Sequence, residues 1–196
     1  GEEAAPFSTG PTQYKLDIMR KVLKFGGTSV ANIERIEHVA DVVAHRARTE
    51  GGGFAVVVSA MAGETNKLVG WAGEAAGDVL VGAQFDDEYD VVVSSGEQVT
   101  AGLLALALRK RGLKARSWLG WQLALRTDEA HGKARIKGFE GEGFAEAVDS
   151  GEIAVIAGFQ GVDAHGRIAT LGRGGSDTSA VAAAAALGAA ECAIYT

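Results

Sequence analysis

The chain has 196 residues, 47% of them hydrophobic and 22% charged, so it carries enough apolar material for one domain with a core and too much for a disordered chain. A formal net charge of −6 argues against a general nucleic-acid or acidic-membrane surface and makes any anion site a local one. A single cysteine, Cys192, excludes an internal disulfide and suits a reducing cytoplasm.

Residues 1–18 are polar and aperiodic, lack the basic-plus-apolar pattern of a secretion signal, and read as a tag or linker ahead of a native start at Met19. RKVLKF (20–25) is a short apolar strand followed by GGTS. Asn32 to Arg48 carries Ile33, Ile36, Val39, Ala40 and Val43 at helical spacing and stops at the glycines 51–53. FAVVVSA (54–60) is a continuous apolar run, as expected of a strand buried on both faces. A helix from about Thr65 to Ala76 follows, and Gly77 to Glu88 reads as a loop or irregular insertion. Ser94 reads as the start signal of a strong helix, Gln98 to Lys110, that ends at Gly112. KARSWLGW (114–121) reads as a strand, Thr127 to Gly143 as loops and short strands, and Phe144 to Asp149 as a brief helix. EIAVIAGFQG (152–161) is a buried strand, and VDAHGRIATL (162–171) a hairpin arm turning at Ala-His-Gly. An alanine-rich helix comes next, and ECAIYT (191–196) is one more strand. The longest apolar run, Ala180 to Leu187, is too short to span a membrane. Strands alternating with helices predict an α/β fold: a three-layer sandwich around a mainly parallel sheet, stopping just after its last strand.

Two loops share one design. KFGGTSV (24–30) and GRGGSDTSA (172–180) both run through glycines into a helix, and a glycine-lined helix start offers free N–H donors to an anion. Each is equally a tight turn with an N-cap, Ser29 or Asn32 in the first and Ser176 in the second. Lys24 is sharper, because a lysine inside an apolar strand needs a counter-ion or an anionic ligand. Walker A and dinucleotide patterns are missing. Ser94 and Glu97 fit a capping box, although Glu97 could instead face a site and take an ammonium group. SAMAGETN (59–66) follows a buried strand, so its hydroxyls belong to the same mouth. His38, His45, His131 and His165 show no metal-ligand spacing, and no protein-built metal site is expected.

In this order, KFGGTSV, VVVSAMAGETNKL, VVVSSGEQVTAGLLALAL, ARSWLGWQ, AGFQGVD and TLGRGGSDTSAVA resemble the aspartokinases of the amino-acid kinase superfamily, from Met19 to Thr196. The resemblance implies the amino-acid kinase fold and phosphorylation of the L-aspartate β-carboxylate by ATP with Mg²⁺, in a cytoplasmic homo-oligomer without nucleic-acid or membrane partners. The product, 4-phospho-L-aspartate, leads towards lysine, threonine, methionine and diaminopimelate. The catalytic pair would be Lys24, on the transferring phosphoryl group, and Asp177, which orients it. Phe25, Gly26, Gly27, Ser59, Gly174, Gly175 and Thr196 would serve the nucleotide. Arg173 would hold the substrate α-carboxylate and Glu97 its α-ammonium, with Thr65, Phe159 and Ser176 lining the mouth. Aspartokinases continue into a nucleotide-base lobe and effector-sensing domains, so residues 19–196 are expected to be the amino-terminal, substrate part of the catalytic domain, weakly active or inactive alone. The alternatives are a kinase for another small carboxylic acid, or a non-catalytic assembly module using the Gln98–Lys110 helix.

Overall fold

The apolar runs become strands in their chain order, and those of the central sheet all pair in parallel. The computed structural model describes residues 18–77, 87–141, 143–172 and 174–196. In order, the elements are β1 (Arg20–Phe25), a 3-10 turn (Gly27–Val30), α1 (Ile33–Glu50), β2 (Gly53–Val58), α2 (Glu64–Ala76), α3 (Asp87–Val93) and α4 (Ser95–Lys110). There follow β3 (Ala115–Trp118), β4 (Leu125–Thr127), β5 (Ile136–Phe139), α5 (Phe144–Asp149), β6 (Ile153–Ala157), β7 (Gln160–Val162), β8 (Ile168–Thr170), α6 (Gly175–Leu187) and β9 (Glu191–Tyr195).

Five strands form a parallel sheet in the order β3-β6-β2-β1-β9. The side chains alternate between two cores, as the strand period of two requires. Leu23, Phe25, Phe54, Val56, Val58 and Val155 join α1 and α4 on one face. Val22, Ala55, Val57 and Ile156 join α5 and α6 on the other. This is the three-layer α/β sandwich expected. β2 is buried at all six residues because strands flank it and helices cover both faces. Each fully buried Val or Leu contributes about 1.5–3 kcal/mol over an exposed one, so this sheet is the main source of stability.

A second, mixed sheet runs β5-β4-β7-β8. Its origin corrects the expectation of one strand across residues 152–161. The chain leaves β6 at Gly158 and Phe159, turns through a left-handed Phe159 (φ 71°), and enters the second sheet at Gln160. The β7–β8 hairpin turns at Asp163–Arg167, as the Ala-His-Gly sequence predicts.

Local expectations around the helix starts differ from the structure. Ser94 does not start a helix. It is itself helical (φ −70°, ψ −15°), its hydroxyl bonds back to Val91 O, and α3 and α4 run as one 24-residue span from Asp87 to Lys110. The Ser94–Glu97 capping box is therefore absent. Within the expected loop Gly77 to Glu88, residues 78–86 lie outside the described residues, and Asp87 and Glu88 already belong to α3. Ser176 is not an N-cap either, because Gly174 occupies that position in a left-handed conformation. Of the alternatives at the first loop, Asn32 caps α1, accepting from Arg35 N–H at 2.9 Å, and Ser29 lies in the 3-10 turn.

The merged span is long and apolar enough to cross a membrane by length and composition alone. Here its inner face packs on the sheet through Ala101, Leu104, Ala105 and Leu108. Its approach is close: a Cβ added at Gly96 would lie 2.8 Å from the Ala60 Cβ. That contact brings the first turn of α4 under the loop that follows β2.

The orientation of α4 yields a direct prediction. Leu104 is fully buried and Leu106 is 62% exposed. Leu104→Ala should cost about 2–5 kcal/mol in urea unfolding, and Leu106→Ala less than about 0.5 kcal/mol. Equal costs would mean that α4 is rotated from this orientation.

Candidate active site

The carboxyl ends of the parallel strands lie side by side, which is where open α/β sheets bind ligands. A cleft of about 780 Å³ opens there. Alternation along β1 sends Lys24 to the α6 side, opposite Leu23 and Phe25. The strand is interior, so Lys24 is mostly buried, and it meets Asp177 in the first turn of α6 at 2.7 Å. The α6 amides first bond back at Thr178, to Gly174 O at 2.9 Å. Helix geometry leaves the amides ahead of it without partners inside the helix, next to the lysine. Gly26 adjoins the ammonium: a Cβ there would lie in ordinary contact with Lys24 Nζ, at 3.4 Å.

Backbone strain shapes the adjoining wall. Phe159 holds a left-handed conformation that costs a non-glycine residue about 1–3 kcal/mol. Its N–H donates to Ser179 Oγ at 3.0 Å, and its carbonyl accepts from Leu171 N–H at 2.8 Å. Gly175 makes room for the ring: a Cβ there would sit 2.5 Å from Phe159 Cδ2. The bend thus seats the hairpin and the start of α6 against the cleft.

Opposite charges line the same cavity. Among the described lining residues Lys24 is the full cation, and Asp177 and Glu97 are the acids. Glu97 is 3% exposed. Its Oε1 accepts from Ala60 N–H at 3.2 Å, while Oε2 has no partner among the described residues. Burial pushes its carboxyl up to about 7, against the lowering effect of the backbone bonds. An orphaned buried oxygen on the wall of a cleft fits a cationic ligand group.

Residues 19–196 match the amino acid kinase family. The chain belongs to that family. Its sequence is 53% identical over 175 residues to an aspartate kinase of Pseudomonas fluorescens, covering 89% of this chain and 41% of that protein. Its fold is similar to an aspartate kinase from Synechocystis (TM-score 0.75, 40% identity, 90% of this chain and 28% of the other). It is also similar to E. coli aspartokinase III in complex with aspartate and ADP (TM-score 0.73, 28% identity, 91% and 49%). The chain thus spans under half the length of these relatives.

In this member of the family, Lys24, Gly27, Ser59, Thr65, Glu97, Phe159, Gly174, Gly175, Ser176 and Asp177 all line one cleft. Gly26 adjoins it through its approach to Lys24 Nζ. The Phe25 side chain lies in the core, stacked on Tyr195 with ring centroids 4.5 Å apart, so only its backbone can serve a ligand. Thr196 is exposed beyond β9 and does not line the cleft. Arg173 lies outside the described residues. The first loop also differs from a helix start, because its glycines lead into the one-turn 3-10 segment rather than into α1. Sequence reasoning missed Tyr89 and Gly132, which reach the cleft from α3 and from the turn before Lys133. It also missed a histidine bridge: His131 Nδ1 lies 2.7 Å from Asp90 Oδ2, and Nε2 lies 3.1 Å from Asp163 Oδ2. These partners are separated by 41 and 32 residues, beyond any motif window.

The raised Glu97 value has a definite sign. Its stabilising contribution is complete below about pH 4.5 and is lost as pH rises through about 7. Glu97→Gln retains an acceptor for Ala60 N–H and never ionises. Its stability relative to the parent should rise by roughly 3 kcal/mol between pH 4 and pH 8. Parallel urea titrations at both pH values measure this, and a flat difference would mean that Glu97 ionises as it does in the unfolded chain, which would exclude the raised value.

Proposed function

We propose that this cleft grips L-aspartate and the phosphates of ATP, and that the protein phosphorylates the aspartate β-carboxylate to 4-phospho-L-aspartate, the step that leads towards lysine, threonine and methionine. The reading rests above all on one observation: a buried lysine paired with the first turn of α6 shares a cleft with a buried carboxylate, one oxygen of which has no partner among the described residues. The complex of E. coli aspartokinase III with aspartate and ADP supports the same ligands here.

The chemistry needs little besides charge control. A side-chain carboxylate with a pKa near 4 is already ionised at neutral pH, so the nucleophile requires no base. The obstacle is the approach of one anion to another, which positioning and neutralisation relieve. Lys24 meets the transferring phosphoryl oxygens, and Asp177 fixes the lysine by their 2.7 Å contact. Gly26, Gly27, Gly174 and Gly175 let backbone donors approach the phosphates, with Ser59 beside them. Glu97 takes the α-ammonium, Arg173 the α-carboxylate through its planar fork, and Thr65, Phe159 and Ser176 bound the substrate.

Among the described residues no group of three or more His, Cys, Asp or Glu side chains could hold a metal. That donor set suits Mg²⁺ carried on nucleotide oxygens rather than in a protein cage, with Asp177 the nearest carboxylate to the lysine, and the ion supplies charge neutralisation when bound. A cytoplasmic homo-oligomer accompanies this reading.

Two measurements test the proposal. Trapping of the acyl phosphate by hydroxylamine, with ADP release followed in parallel, should give product with aspartate and not with succinate, which lacks the ammonium. Lys24→Ala should lower the rate at least about a hundredfold, and a retained rate would sink the assignment. Calorimetry at pH 7 in two buffers of different ionisation enthalpy should show aspartate binding releasing a fraction of a proton, because the ammonium favours the ionised form of Glu97. Buffer-independent heats would remove Glu97 from the ammonium site.

A further inference from the structure

Helix α3 carries a second buried carboxylate, which the phosphoryl chemistry does not use. Asp90 is 0% exposed. It accepts from Thr170 N–H at 2.8 Å, Thr170 Oγ1 at 2.5 Å and Gly132 N–H at 3.1 Å, and it meets His131 Nδ1 at 2.7 Å. The other ring nitrogen faces Asp163 Oδ2 at 3.1 Å. Asp163 is itself buried and closes the β7–β8 turn by accepting from the His165 and Arg167 amides, each at 2.9 Å.

A neutral imidazole has one N–H, so it can donate to only one of two facing carboxylates. The doubly protonated ring satisfies both. Burial works against that charge, but the bond to Asp90 and its charge, and then those of Asp163, outweigh it and hold the His131 pKa above the ordinary imidazole range. Among the described residues, the charged groups facing the ring are Asp90 from α3 and Asp163 from the turn after β7. Farther out, His165 pairs with Glu129 at 3.0 Å, and Arg167 pairs with Asp87 and Glu88.

The groups tied to Asp90 adjoin the cleft wall. Thr170 immediately precedes Leu171 and Gly172, which line the cleft and lead to Gly174 at the start of α6. Gly132 lines it directly, as does Tyr89, the residue before Asp90. One carboxylate therefore joins α3, the turn before Lys133 and the root of the glycine loop.

We propose that Asp90, bridged by His131 to Asp163, is a positioning residue that fixes the root of the glycine loop, and so sets where the first amides of α6 meet the nucleotide phosphates beside Lys24. It deepens the kinase reading of the cleft and rests on it. Asp90 and His131 act through Thr170 and Gly132 and touch no reacting atom.

The test uses the full chain. Thr170→Val removes the hydroxyl donor to Asp90 at nearly constant shape, Thr170→Ser restores it, and His131→Gln removes the titrating bridge. Thr170→Val should raise the nucleotide KM about tenfold with the aspartate KM within twofold, and Thr170→Ser should return it to within twofold. The parent's nucleotide KM should rise on the alkaline side as His131 loses its proton, and His131→Gln should flatten that arm. Unchanged nucleotide KM values in Thr170→Val and His131→Gln would overturn the proposal. So would a parallel rise of both KM values accompanied by a lower melting temperature, the mark of general loosening. ADP calorimetry separates the two levels. If the parent binds ADP but not aspartate, the kinase reading fails, while weaker ADP binding by Thr170→Val upholds the positioning role. A parent that binds no ADP overturns both.

Discussion

The contact between Lys24 and Asp177 is the constraint around which the rest of the molecule is arranged. An ammonium group near the end of an interior strand is tolerable only with a counter-ion or an anionic ligand at hand. The counter-ion comes from the first turn of a helix 153 residues later in the chain, 2.7 Å away. To hold that distance β1 must lie inside the sheet, α6 must lie on the face to which Lys24 points, and α6 must begin at the sheet's carboxyl edge. All three conditions are met by parallel pairing of β1 with β2 and β9, and by the second core, which packs α6 against Val22 and Val57. Removing either charge leaves the other half-satisfied, so the pair serves the fold and the site together.

Two carboxyl groups in the cleft and a third behind its wall sit in three different environments. Asp177 is half exposed and joined to a lysine. Glu97 is buried with one oxygen orphaned, and desolvation keeps it partly protonated near neutral pH. Asp90 is buried as deeply but is surrounded by donors, two amides, a hydroxyl and an imidazole. The same functional group is thereby suited to fixing a lysine, to receiving a cation, and to fastening a wall. What differs is the number of hydrogen-bond donors within reach.

Strain concentrates where the two sheets meet. The left-handed Phe159 turns the chain from β6 into β7, and without that turn residues 152–161 would continue as one strand in the parallel sheet. The bend is held by Ser179 and Leu171 and accommodated by Gly175. The hairpin that carries Thr170 and Asp163 therefore hangs beside the cleft rather than extending the sheet.

Local chemistry in the sequence determined the strands of the central sheet, most of its helices and the two glycine loops, because two-residue and 3.6-residue periods and glycine spacing act over ten residues or fewer. The same was true of Lys24, whose charge stands out within an apolar run. Cap signals misled where packing was stronger: Ser94 and Glu97 spell a capping box, yet α3 continues through Ser94, and the close approach of Gly96 to Ala60 buries Glu97 instead. Phe25 was legible as part of its motif but not as a core residue, because only the sheet decides which face each side chain takes. Tyr89, Gly132 and the His131 bridge left no signal at all. Their partners lie tens of residues away, and such contacts exist only after the chain has folded, since nothing in local geometry relates Asp90 to Thr170. Sequence alone thus determined which chemical groups were available; the tertiary structure decided which of them share a cleft, and burial there is what raises the Glu97 carboxyl above the ordinary carboxylate range.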